Sequence, residues 1–270
     1  MIKAEEIYKP VQDLQSRFHE KRSGREISRT PEDAEKLNLF VEGLRHKISI
    51  SVHHCNILNS FDWKTGSLSD RLPPLKRFSS LSPAPSLEEI EDMKDQEAEE
   101  IIYTFKKSAA SDMLILDMVR RCVSDSVNAT DTFARILNSC FGAGLVFNHV
   151  NVRLIHEKLD DSRFDTLRKV RSALGKHAWE QNNRKEITHP TWLSDLRKIR
   201  GIFEHGSILD AFGTQFSTRD KTFFKSEHFG STDFDGNFEI PVVCARTLVF
   251  LGELIANVSE AALPLVWPIR

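Results

Sequence analysis

Leu37, Phe40, Val41, Leu44, Ile48, Val52 and Cys55 recur at spacings of one, three and four residues. That period places one apolar stripe along about five turns of helix, and its simplest use is to face a core. The stripe follows Thr30-Pro31-Glu32-Asp33, an N-cap candidate with proline at the first helical position and acids in the first turn. Further helical patterns run from Ser86 through Ile101, Ile102, Phe105, Met113, Leu116 and Met118, and then over 131–141, 152–159, 164–179 and 192–203. The most apolar segment, 240–267, is broken by Arg246, Glu253, Asn257 and Glu260, so between Pro241 and Pro264 it reads as a core helix. Strand-like alternation is nearly absent, and the expected fold is all-α.

The segment from Gly66 to Pro85 carries four prolines and many serines, which disfavour regular structure. It divides the chain into an N-terminal helical region (1–65), a linker (66–86) and a helical domain (87–270). Eight acids against Lys94 between Ser86 and Glu100 read as the solvated start of a helix. Before the last helix, Phe212, Phe216, Phe223, Phe224, Phe229, Phe234 and Phe238 lie among Gly, Ser, Thr and Asp. This is the pattern of a long loop or small hairpin pinned to the core by aromatic rings.

With 270 residues, 40% of them apolar, the chain can bury a substantial core without disulfides or metal. Lys+Arg 37 against Asp+Glu 39 gives a net charge of -2, so any nucleic-acid site must be local. The cysteines at 55, 122, 140 and 244 have neither CxxC spacing nor the density of a disulfide framework, which points to a reduced, cytoplasmic protein. The N-terminus MIKAEEIYKPVQDLQ lacks the apolar core of a signal peptide, and no run approaches 18 uncharged apolar residues. Neither secretion nor a membrane partner is expected.

Glycine-rich phosphate loops, HExxH, GxSxG and the EF-hand pattern are missing. His53-His54-Cys55 is the densest set of metal-ligand types, but adjacent helical residues point about 100° apart, so the set is read as structural and no metal or other cofactor is expected. Between Arg168 and Arg200, nine Lys/Arg face Glu180, Glu186 and Asp195. Arg184, Lys185, Arg197 and Lys198 are therefore the candidate RNA-binding residues.

The sharpest local signal is Leu196-Arg197-Lys198-Ile199-Arg200-Gly201-Ile202-Phe203-Glu204-His205-Gly206. As a helix it turns Leu196, Ile199 and Phe203 inward and separates Arg200 from His205 by about 140° and about 7.5 Å of rise. Gly206 is a candidate left-handed helix end. Arginine offers a permanent charge and several donors for a phosphate, and histidine can move a proton near neutral pH. Arg184 and His189 share the spacing, but His189 precedes Pro190 and suits a loop or a helix start.

A largely helical chain with a late-helix R-x4-H followed by glycine resembles the HEPN superfamily. The resemblance covers about residues 98–262 and implies a HEPN-like helical bundle, extended at the N-terminus. Many members are metal-independent ribonucleases of defence or toxin systems, and they commonly pair two motif helices in a homodimeric cleft. Arg200 would then bind or polarise the scissile phosphate, and His205 would act as acid or base or orient the RNA. The position after the motif arginine is commonly polar in that family; here it is Gly201, which removes one hydrogen-bonding group. The expected function is an endoribonuclease working through 2'-hydroxyl attack, with a protein antitoxin or regulator as a further partner. The alternative is a noncatalytic helical module that binds RNA, a nucleotide or a protein through a degenerate site.

Overall fold

The computed structural model describes residues 3–20, 31–60, 95–146, 149–160, 162–182, 186–205, 211 and 223–265. Its helices are α1 (Ala4–Glu20), α2 (Pro31–Ser60), α3 (Asp95–Phe141), α4 (Val152–Lys158), α5 (Arg168–Gly175), α6 (Trp192–His205) and α7 (Ile240–Ala262). Two short strands, β1 (Glu180–Gln181) and β2 (Ile187–His189), pair antiparallel between α5 and α6. The architecture is a mainly helical bundle, in agreement with the all-α expectation. The linker 66–86, the acidic residues 87–94, Thr30, Arg184, Lys185, Gly206, Phe212 and Phe216 lie outside the described residues.

The stripe on α2 does what its period dictates: Leu37, Val41, Leu44, Ile48, Val52 and Cys55 are buried, and Phe40 packs on the same cluster. α2 lies along α3, and this is the most extensive helix pairing in the fold. α3 is one continuous helix of 47 residues, where the sequence pattern suggested separate segments. Nothing between Asp95 and Phe141 is glycine or proline, so hydrogen bonding propagates through the polar stretch around Ser124–Asn128 without a break. It stops at Gly142, whose φ of 60° opens a left-handed turn. There the Ala143 N–H donates to the Asn138 carbonyl, and the Asn138 side chain bonds both backbone groups of Leu145.

α1 escaped the sequence pattern because Pro10 stands inside it, removing one amide donor and crowding the carbonyl of Glu6. Ile7, Val11, Leu14 and Phe18 nevertheless form a buried stripe, and α1 packs on α2 and α7. α7 contacts α1, α2, α3 and α5. By length and composition it could cross a membrane, yet Val243, Leu248, Leu251, Leu254, Ile255 and Val258 are buried in the bundle core. Cys55, Cys122 and Cys244 are buried free thiols contributed by α2, α3 and α7. A hydrogen bond with Cys122, followed by burial, pushes the Cys55 thiol up, so it packs as a small apolar side chain.

The ladder of β1 and β2 was not anticipated, because two and three residues are too few to display alternation. Asn182 closes the turn: its amide donates to Glu186 at 2.8 Å and its oxygen accepts the Glu186 N–H at 2.9 Å. The Phe-rich segment forms no comparable ladder among its described residues, only an isolated bridge between Phe223 and Glu239. Phe224 and Phe234 are buried, and Phe229 stacks on Phe238 at 4.4 Å and meets Phe234 edge-on at 5.0 Å. The expected aromatic anchoring is therefore present, on a loop.

His177, just after α5, is 5% exposed. Its Nδ1 accepts a 2.9 Å bond from the Trp192 indole, and burial lowers its pKa from 6.5 to about 4. The unfolded chain protonates this residue below pH 6.5, whereas the folded chain resists until about pH 4, so acid favours unfolding across that window. Folding stability is expected to fall by up to about 3 kcal/mol between those limits through this residue. Urea midpoints measured at several pH values check this, and His177→Gln, which keeps an acceptor for the indole, should flatten the dependence.

Candidate functional site

α6 is fixed at its N-terminus by the loop that precedes α7. The Trp192 N–H donates to Asp233 at 2.7 Å, satisfying one of the free amides of the first turn. One turn inside, the buried carboxylate of Asp195 accepts from the Gly230 N–H at 2.9 Å and from the Ser231 N–H and hydroxyl at 3.1 and 2.6 Å. The Thr191 hydroxyl donates to the His177 carbonyl. With its first turn held in this way, α6 lays Leu193, Leu196, Ile199 and Phe203 into the core, the face expected from their spacing.

The opposite edge of α6 meets α3 through charge. Arg197 forms an ion pair with Asp131, and its guanidinium lies 5.1 Å from the centroid of the Trp179 ring. Burial pushes the Asp131 carboxyl up, while Arg197, Arg200 and Arg135 pull it back down. Burial likewise lowers Arg197, against the pull of Asp131. Each charge therefore needs the other, because neither has enough water to replace its partner. Arg200 sits one turn further on: its Nη1 is 3.8 Å from Asp131, and its Nε donates to Glu204 at 2.7 Å. Arg200 keeps 25% of its side chain exposed. A guanidinium carries five donors, more than these two carboxylates use.

His205 is exposed at the end of α6. The structure thus places Arg200 and His205 on the same helix end, one half-buried and held, the other open to solvent. Gly201 between them is half-buried, and a Cβ built there meets nothing within 4 Å. Of the candidate RNA-binding residues, Arg197 is committed to Asp131 and Trp179, and exposed Lys198 donates to the Glu227 carbonyl at 2.7 Å. Arg184 and Lys185 lie outside the described residues.

Part of the basic excess between 168 and 200 is paired within the fold, while Lys169, Lys176 and Lys198 are exposed. Arg168 pairs with Asp165 at 3.2 Å, Arg171 with Asp160 at 2.7 Å, Arg197 with Asp131 and Arg200 with Glu204, so acids outside that stretch neutralise much of it. The charge beside the motif is mixed, with Arg120 and Arg121 of α3 set against Asp125 and Glu204. Arg120, Arg121, Ser124 and Asp125 line an open groove of about 460 Å³ whose other wall is Phe203 and Glu204 of α6. Asp117 accepts from Arg120 at 2.6 Å and from Arg121 at 2.7 Å. Burial works against ionisation of Asp117, but the bonds from Arg121 and Arg120 outweigh it and hold the carboxyl below its usual range. The only sequence signal for this wall is the adjacent Arg120-Arg121 pair, which lies about 80 residues before the motif.

His53 is exposed, His54 half-buried and Cys55 fully buried, and the two imidazole rings lie 5.8 Å apart. Among the described residues, no group of three His, Cys, Asp or Glu side chains is arranged to hold a metal ion. No family model, curated protein or solved structure matches this chain.

Asp131→Ala would leave Arg197 buried without a counter-ion and is expected to cost about 3 kcal/mol in denaturant unfolding. Replacing both partners, in Asp131→Leu with Arg197→Leu, is expected to cost less than the single change, because no uncompensated charge remains. Unfolding curves of the single and double variants measure the difference.

Proposed function

We propose that this chain is a HEPN-like, metal-independent endoribonuclease. In this reading it acts on cytoplasmic RNA as a homodimer, within a defence or toxin system in which a protein antitoxin or regulator restrains it. The observation that carries the reading is the motif's geometry. Arg200 is held by Asp131 and Glu204 with 25% of its side chain exposed, and His205 is exposed on the same helix end, next to a groove lined by Arg120 and Arg121 together with Asp125 and Glu204. Fixed cationic donors and a solvent-accessible proton carrier are what phosphodiester transesterification requires of a protein.

The chemistry follows from those groups. The outer donors of Arg200 contact the non-bridging oxygens of the scissile phosphate and stabilise the charge that grows there. The imidazole of His205 takes the proton of the 2'-hydroxyl as the 2'-oxygen bonds to phosphorus. The bond from phosphorus to the 5'-oxygen breaks, and that oxygen receives a proton from the second copy of the motif in the homodimer. The products are a 2',3'-cyclic phosphate and a 5'-hydroxyl.

A second reading has its own support: Glu204 already occupies Arg200, and Gly201 lacks the polar side chain common at its position. Both features suit a noncatalytic module that retains RNA without cutting it.

With EDTA present and a mixed RNA panel, wild-type protein is expected to cleave. Arg200→Ala and His205→Ala should each lose about 100-fold or more while keeping the wild-type circular dichroism. Gly201→Asn, for which there is space, should raise the rate. RNA retained intact by the wild type would favour the binding module, and equal cleavage by all variants would remove the motif from the reaction.

A further inference from the structure

Arg200 is already paired in the resting site, and the two carboxylates that hold it are unequal. Its Nε donates to Glu204 at 2.7 Å, and its Nη1 lies 3.8 Å from Asp131. A guanidinium grips a phosphate through two donors of one edge, either Nε with a terminal nitrogen or the two terminal nitrogens together. Glu204 stands on the first edge and Asp131 beside the second, so a two-point contact requires one carboxylate to give way. Asp131 is held in place: it is 16% exposed and is the counter-ion of Arg197. Glu204 is 43% exposed and lines the open groove, so its carboxylate has solvent and space to turn into. An ion pair between residues four apart on a helix, at this exposure, is weak, and water replaces much of it.

We propose that Glu204 is a displaceable plug on Arg200: its carboxylate fills the donor edge that the scissile phosphate takes, and the incoming phosphodiester drives it off towards solvent. The inference rests on the ribonuclease reading and adds to it the residue that controls access to its arginine. At rest the local charges cancel in pairs, Arg197 against Asp131 and Arg200 against Glu204. When a phosphodiester takes the Nε edge, Arg200 exchanges one anion for another, and Glu204 carries its charge into water. The displaced carboxylate stays on the same helix, one turn from Arg200, and repels the phosphate that replaced it. Glu204 therefore opposes RNA binding twice, as a competitor for the donor edge and as a neighbouring negative charge. It is a positioning residue, because the larger of these effects runs through Arg200.

The test is a double-variant cycle in fluorescence anisotropy with a labelled 2'-O-methyl oligonucleotide, which this chemistry cannot cut, run beside cleavage of the unmodified RNA in EDTA. Glu204→Gln keeps the length of the side chain and removes its charge. It is expected to tighten binding about fivefold and to lower KM for cleavage by a similar factor, with kcat within about twofold. The same change in an Arg200→Ala protein is expected to tighten binding by less than about twofold, because no guanidinium is left to release. Equal gains in the two backgrounds would reduce Glu204 to general repulsion and overturn the plug. Unchanged or weaker binding by Glu204→Gln, with wild-type cleavage still dependent on Arg200 and His205, would also overturn it and leave the ribonuclease reading standing. A gain that requires Arg200, in a protein that cuts no RNA, would sustain the plug and remove the ribonuclease reading. Neither binding nor cleavage, by the wild type and by Glu204→Gln alike, would defeat both.

Discussion

The carboxylate of Asp131 is where the long central helix and the motif helix are tied together. It sits on α3, mostly shielded from water, and two arginines of α6 converge on it from positions one turn apart. Moving such a group out of water is unfavourable unless the opposite charge accompanies it, so α6 can adopt only the rotation and height that bring Arg197 into contact. That rotation turns Leu193, Leu196, Ile199 and Phe203 inward and leaves Glu204 and His205 at the surface. Trp179 covers the Arg197 guanidinium, and the bonds of Asp195 and Asp233 fix the start of the helix. The position of the motif is thus an outcome of packing and of charge pairing in which Arg200 itself takes part.

Much of the bundle was legible because helical burial is periodic. The stripe from Leu37 to Cys55 and the inward face of α6 follow directly from spacing, and the aromatic anchoring around Phe229 and Phe234 follows from composition. α1 was hidden by Pro10, whose local cost is outweighed by four buried apolar side chains. The unity of α3 was hidden because its polar middle interrupts the stripe without interrupting the backbone. The two short strands are set by Asn182 and Glu186 rather than by alternation.

The site was less legible than the fold, and the reason is the range of the interactions. Arg200 and His205 were visible as a spacing, and Glu204 as a neighbour, but Asp131 lies 66 residues before its partner Arg197. A count of basic residues over 168–200 likewise cannot see Asp131, Asp160 or Asp165, which neutralise three of them. Arg120 and Arg121 carry no motif and become relevant only when α3 runs beside α6. Local sequence displays charges, whereas the field at a surface depends on which of them have been paired across the fold.

The account stands on transesterification by the ribose 2'-hydroxyl at the motif. The most direct measurement is end-group analysis of an RNA cut by the wild-type protein in EDTA, alongside the same RNA with a single 2'-deoxy sugar at the cleavage position. A 2',3'-cyclic phosphate and a 5'-hydroxyl, with cleavage lost at the deoxy position, is the result expected. Cleavage that proceeds at the deoxy sugar, or that leaves a 5'-phosphate, would contradict it.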